Sequence, residues 1–334
     1  MRLAFPSPPL GFTVGMLLCV AMLPDHAVRA ADPRPNADSA VTSAVQRTGT
    51  QATLLDVFFR DVRNGWAVGA GGAILRTVDG GKRWAASPGG TRALLTGVFF
   101  ADVWHGWVVG SNGTILHSKD GGKRWAAQSA PTQSALFGIY FLSTALGWVV
   151  GERGTILHTA DGGLHWDDQT SGTNNVLYAV HFADKQHGWA VGALGTIVAT
   201  GDGGITWRSQ DSKNAATTLF DVFFLDDLNG WTVGNAGAML QTVDGGKNWI
   251  DRTVACIQHC IKPADLIQVR FSDRGTGWVV GERGTILRTT DAGFTWVEQA
   301  PGTKVSLYGL TFPDPSRGWA SGDQGTILMI TTPR

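Results

Sequence analysis

Cysteine is scarce, with three residues in a chain of 334. That count excludes a small fold framed by several disulfides. Tyrosine is equally rare, at Tyr140, Tyr178 and Tyr308, so chemistry that needs a phenolate nucleophile has few positions to choose from. Charge of one sign is also missing: Lys and Arg number 27, Asp and Glu 27, and the formal net charge is zero. No global field draws the chain to a polyanion, and nucleic acid is not expected as a partner. The longest apolar run, Leu10 to Leu23, has fourteen residues, short of the roughly 20 that cross a bilayer as a helix.

That run follows Arg2 and precedes Val28-Arg29-Ala30, a small-residue cleavage pattern. Residues 1–30 are therefore expected to be a secretory signal peptide, which makes the mature protein exported, in a bacterial periplasm first and secreted second. Its removal takes Arg2, Arg29 and Asp25 and leaves a formal charge of minus one, with no stable membrane anchor. Residues 31–42, rich in Pro, Asp, Asn and Ala, are expected to be a flexible leader, ahead of one closed unit over 43–334.

Glycine and tryptophan are plentiful, at 45 and 14 residues. The dipeptide Gly-Trp recurs at Trp66, Trp107, Trp148, Trp189, Trp231, Trp278 and Trp319, in steps of 41, 41, 41, 42, 47 and 41 residues. A strand-like, glycine-rich period near forty fits one four-stranded antiparallel blade per repeat. The expected fold is all-β, a seven-bladed β-propeller.

The third repeat shows the blade. Leu136 to Phe141 is apolar at nearly every residue, as an innermost strand A covered on both faces would be. Trp148-Val149-Val150 is strand B, with its Trp filling the gap between blades. Gly151-Glu152-Arg153-Gly154 is a tight hairpin, and Thr155 to Thr159 is strand C. The turn Asp161-Gly162-Gly163 follows, with Asp accepting amide hydrogen bonds, the glycines at positive φ, and Trp166 anchoring strand D. The same string begins at Asp79, Asp120, Asp202, Asp244 and, as Asp-Ala-Gly, Asp291.

These residues resemble the Asp-box, or BNR, repeat. The longer string Gly-Trp-x-Val-Gly-x-x-Gly-Thr-Ile-Leu-x-Thr-x-Asp-Gly-Gly-x-x-Trp is similar to that of the photosystem II stability and assembly factor family of exported propellers, over residues 43 to 332. The resemblance implies a non-enzymatic scaffold without a cofactor, whose basic surface engages a membrane protein during assembly. Asp boxes are shared with sialidases and other glycosidases, so a glycan-binding or glycan-cleaving propeller is the alternative.

The last repeat stops at Thr331 without a strand D. Gln46, Gly49, Leu54, Val57 and Phe59 repeat the spacing of Gln169, Gly172, Leu177, Val180 and Phe182 that follows Trp166. Residues 43–48 are therefore expected to close the ring by pairing with residues 326–332.

Candidate chemistry is thin. The three tyrosines sit in strand A and are expected to pack. The repeated Asp-box acids are equivalent turn residues on different blades and point outward, so no acid pair for glycoside hydrolysis is indicated. His117 and His158 share a strand C position with Arg76 and Arg288, expected to be a tolerant surface site rather than a metal site. Cys256 and Cys260 fall in the one lengthened repeat; a disulfide is expected there, with a metal or redox site using His259 as the alternative. Trp104, outside the repeat, is expected to be partly packed in an A–B turn.

Individuality is concentrated in the B–C hairpins, whose two central residues vary. There Glu152-Arg153 and Glu282-Arg283 stand out, and D–A loops add Arg92, Lys213, Arg252, Lys262 and Lys304 to the same mouth. A mildly basic rim, suited to an acidic protein client, is the expected partner site. The protein itself is expected to be a monomer.

Overall fold

Each Gly-Trp dipeptide has a packing reason, and that reason builds the ring. In the computed structural model, which describes residues 41–213, 216–253, 263–300 and 302–332, a Cβ on Gly147 would collide with the ring of Phe141, the last residue of strand A in the same blade. Glycine seats that ring. The neighbouring Trp reaches across to the next blade: Trp148 stacks on Phe182 at 3.6 Å between centroids. In blades 1 to 6 the phenylalanine of the pair also meets the Asp-box Trp of its own blade edge-on, as Phe182 meets Trp207 at 5.9 Å. Three rings at six of the junctions, and the Trp278–Phe312 pair at the seventh, thus form a dry seam, an arrangement favoured by the aromatic quadrupole. The seam recurs to the last blade, where Trp319 stacks on Phe59 of the first at 3.7 Å.

Seven four-stranded sheets result. Blade 3 pairs strand A (Leu136–Phe141) with B (Gly147–Gly151), C (Ile156–Thr159) and D (Asp167–Gln169), antiparallel throughout. The innermost strands of the other blades are Leu54–Phe59, Leu95–Phe100, Leu177–Phe182, Leu219–Phe224, Leu266–Phe271 and Leu307–Asp314. Each touches the next, and the last touches the first.

Closure follows the expected scheme. Thr42–Gln46 pairs antiparallel with Ile327–Thr331, Thr42 opposite Thr331 and Gln46 opposite Ile327. The strand starts one residue before Ser43, and Val41 packs on the core of blade 7. Residues 1–40, with the expected signal and most of the leader, lie outside the described residues, as do Cys256, Cys260 and Lys262.

The Asp-box turn is a hydrogen-bonded unit. Asp161 Oδ1 accepts the His165 amide and the Thr159 hydroxyl, both at 2.9 Å, while Thr159 Oγ1 accepts the Gly163 amide at 2.8 Å. Gly162 and Gly163 take φ of 75° and 85°. Amide donation from His165 pulls the Asp161 carboxyl down to about 2. These acids are consumed by the turn.

Three expectations need correction. Strand A is not covered on both faces: Leu136 and Phe141 are buried, but the residues between them are only partly so, because alternate side chains face an axial channel. Tyr140, Tyr178 and Tyr308 therefore line that channel. The shared strand C position is no free surface site either. His117 stacks on Trp107 at 4.6 Å, and burial, followed by Lys119 and His105, pulls its pKa down to about 4; the Arg288 guanidinium lies 5.3 Å from the Trp278 ring. Trp104, finally, is 55% exposed.

Candidate functional site

The mouth formed by B–C hairpins and D–A loops is built from tips whose two variable residues act differently. Where the first variable residue of a tip is polar, it braces its own blade. Glu152 Oε2 accepts the Ala135 amide at 3.2 Å, and Glu282 Oε2 accepts the Asp265 amide at 3.4 Å. Ser111 and Asn235 do the same for Leu94 and Thr218, at 3.0 and 2.7 Å. The second residue takes a left-handed backbone, φ 55° at Arg153 and 57° at Arg283, a conformation unusual for side chains longer than Asn. Arg153 is exposed, as are Arg92 and Lys304. Arg283 lies 3.6 Å from Glu282.

The expected residues do not form one patch. Lys304 and Arg283 come together, because the D–A loop after blade 6 packs against the blade 6 hairpin, with Thr303 over Gly284. Arg92 lies beside the blade 1 tip, where Thr91 covers Gly72. Arg153 belongs to blade 3. Arg252 is held away from the mouth, its Nε bonded to Gln241 at 3.1 Å and its guanidinium 5.2 Å from the Phe294 ring. Lys213 pairs with Asp211 at 3.3 Å. Acids also occupy this side among the described residues, Asp265 and Asp323 in addition to the two Glu. Asp323 is itself fixed, accepting Thr53 Oγ1 at 2.9 Å and Tyr308 Oη at 3.1 Å.

The non-repeated chemistry lies in the channel, away from the hairpin tips. Toward the mouth, an upper chamber of about 360 Å³ is walled by Phe137, Tyr178, Phe220 and Tyr308 and floored by Asp56, Asp221, Gln268 and Arg270. Below it a second chamber of about 330 Å³ carries an aromatic arc: Phe58, Phe99, Tyr140, His181 and Phe223 follow one another at 4.7 to 5.3 Å. The floor residues tie blades together. Asp56 accepts the Val98 amide of blade 2 at 2.9 Å, Asp221 the Val269 amide of blade 6 at 2.9 Å, and Gln268 the Leu310 amide of blade 7.

Electrostatics separate these groups. Arg270 Nη1 lies 2.5 Å from Asp221 Oδ2, with the Asp221 side chain only 7% exposed. Burial nevertheless raises Asp221, offset in part by Arg270. Burial raises Asp56 as well, to about 6, against the lowering pull of the Val98 amide and of Arg270. Burial and then Arg270 push His181 down to about 3, so its imidazole is neutral. The signal was present in the sequence: Asp56, Asp221 and Arg270 are charges inside otherwise apolar strand A segments. Among the described residues, no cluster of His, Cys, Asp and Glu is arranged to hold a metal ion.

Seven blades closed by an N-terminal strand, with Asp boxes on one face and variable hairpin tips on the other, define an Asp-box β-propeller. The profile described as photosynthesis system II assembly factor YCF48 matches residues 35–126, 89–169, 166–250 and 212–299, and the chain belongs to that family. Among solved structures, YCF48 from Cyanidioschyzon merolae is 21% identical with a TM-score of 0.72, over 86% of this chain and 98% of that one. A YCF48 bound to a D1 peptide is 22% identical with a TM-score of 0.70, over 90% and 99%. Virginiamycin B lyase from Staphylococcus aureus reaches a TM-score of 0.75 at 13% identity, over 87% and 99%; the likeness to these structures shows a shared fold. No curated protein sequence matches the chain.

Proposed function

We propose that this chain is an exported, monomeric, non-enzymatic propeller that binds a polypeptide segment of a membrane-protein client at the hairpin mouth, as an assembly factor. The observation that carries this reading is membership of the YCF48 family, of which one solved relative holds a D1 peptide. The tips support it physically. A left-handed residue on a braced hairpin is presented rigidly, so little ordering entropy opposes binding, and Arg153, Arg92 and the Arg283–Lys304 pair offer cations to carboxylates of a client. Export rests on the segment Arg2 to Ala30 and is tested by N-terminal sequencing of the mature protein.

The test is recovery of one membrane protein from detergent extracts by wild type and by an Arg153→Glu/Arg283→Glu variant. Recovery by wild type with about tenfold loss in the variant is expected; equal recovery sinks the role of these tips.

A second reading has one observation behind it. Asp56 and Asp221 are two carboxyls facing an aromatic-walled chamber, as a glycosidase requires. Against it, Asp221 is locked to Arg270 and both acids are bonded to backbone amides, which suits fixed struts better than proton carriers. Glycan hydrolysis in a substrate panel, lost in Asp56→Asn, would overturn the scaffold reading.

A further inference from the structure

We propose that the upper chamber of the axial channel is a binding site for an ammonium group carried on a short apolar or aromatic stem, with Asp56 as its counter-ion. The proposal stands apart from the hairpin tips. It starts from a comparison of three equivalent residues. Asp56, Asp221 and Gln268 occupy the same strand A position in blades 1, 5 and 6, and each bonds the backbone amide of the next strand along the ring. Gln268 shows that a neutral carbonyl suffices as strut. The negative charge at the other two positions is therefore more than the architecture needs.

At Asp221 that charge is met by Arg270. Asp56 has no Lys, Arg or His nitrogen of the described residues within ion-pair distance; Arg270 acts on it only from farther off, and Asp221 opposes that pull. Two carboxylates sharing one guanidinium in the chamber leave one negative charge uncompensated, which is unfavourable, and the elevated pKa of the half-buried Asp56 agrees with that imbalance. The carboxylate looks into a chamber of about 360 Å³, large enough for a stem of several carbons. The walls suit a cation. Phe137 and Tyr178 lie 5.3 Å apart, Tyr178 and Phe220 5.8 Å, and aromatic faces attract ammonium groups. Arg270, which also lines the chamber, is engaged by Asp221, and His181 below, neutral at physiological pH, adds no further positive charge.

A free amine and a lysine side chain of a client present the same group, so both are titrated. Calorimetry on the mature chain would use phenethylammonium, the tripeptide acetyl-Ala-Lys-Ala-amide, and phenethyl alcohol as the neutral counterpart. Saturable binding of at least one ammonium probe is expected, about tenfold weaker for the alcohol and about tenfold weaker in Asp56→Asn, whose amide keeps the strut. Phenethylammonium alone binding assigns a small amine; the tripeptide binding assigns an inserted lysine. A second variant, Leu55→Lys, supplies an ammonium from the chamber wall and should block the probes with the fold intact by circular dichroism. No saturable binding of either probe to wild type, or equal affinity in a folded Asp56→Asn or Leu55→Lys, overturns the proposal.

Discussion

Gln46, on the strand that closes the ring, accepts the indole N–H of Trp84 in blade 1 at 3.1 Å and donates to the Gly80 carbonyl at 2.9 Å. The same clasp joins Gln169 to Trp207 and Gln210 to Trp249, at 3.1 and 3.2 Å. The N-terminal strand therefore completes blade 7 and also locks that blade to the next, as an internal blade would.

Deleting Ser43 to Thr50 should lower the denaturation midpoint of the whole propeller in a single transition, because an open edge and an unclasped junction arise together. Gln46→Ala alone should lose about 1–2 kcal/mol, the scale of a hydrogen bond whose partner is left unpaired. Urea unfolding followed by tryptophan fluorescence checks both. An early local transition with an unchanged main one would mean that the strand is an appendage.

Tryptophans differ sharply by position. Trp148 is fully buried and stacked on Phe182, so Trp148→Ala should lose about 3–5 kcal/mol. Trp104→Ser, at the exposed A–B turn, should stay within about 0.5 kcal/mol. Equal effects in chemical denaturation would contradict the seam described here.

The glycine of the repeat is testable in the same way. Gly147→Ala forces a Cβ into the Phe141 ring, whereas a Cβ on Gly201 meets nothing within 4 Å at an ordinary backbone angle. The first should lose about 1–3 kcal/mol by overpacking, the second within about 0.5 kcal/mol. Melting temperatures of the two variants decide it.

Much of this was legible in the sequence, and the part that was not has a definite cause. The Gly-Trp period gives blade number, and the register of Gln46, Gly49 and Leu54 gives closure, because both depend on contacts that repeat. The channel does not repeat. A residue such as Phe58 looks alike in sequence whether it is packed or lines a channel, so the pattern of strand A reads as covered on both faces and does not distinguish Asp56 or Asp221. The mouth was half legible: variation marks the tips, but only the left-handed φ at Arg153 shows that Glu152 turns inward and Arg153 outward.

Asp56 makes a pH prediction of its own. Its folded pKa, about 6, lies above the ordinary 3.8, so the native state prefers the protonated acid. Its contribution to stability is complete below pH 4 and is lost as pH rises through 6. Asp56→Asn removes that loss and should stabilise the protein at pH 7.5 by on the order of 2 kcal/mol, with the gain vanishing near pH 4. His181, lowered to about 3, acts oppositely, withdrawing stability as pH falls below 6.5, so the comparison must be variant against wild type at each pH. A gain that is equal at both pH values would show that the Asp56 charge is not strained in the channel.

The most direct test of the account is which face meets the client. A photo-reactive residue at Arg153, on the hairpin mouth, is compared with one at Lys123, on the Asp-box face, during incubation with client-containing membranes. The account predicts a crosslinked client from position 153 and none from position 123; crosslinking from 123 alone would place binding on the opposite face and contradict it.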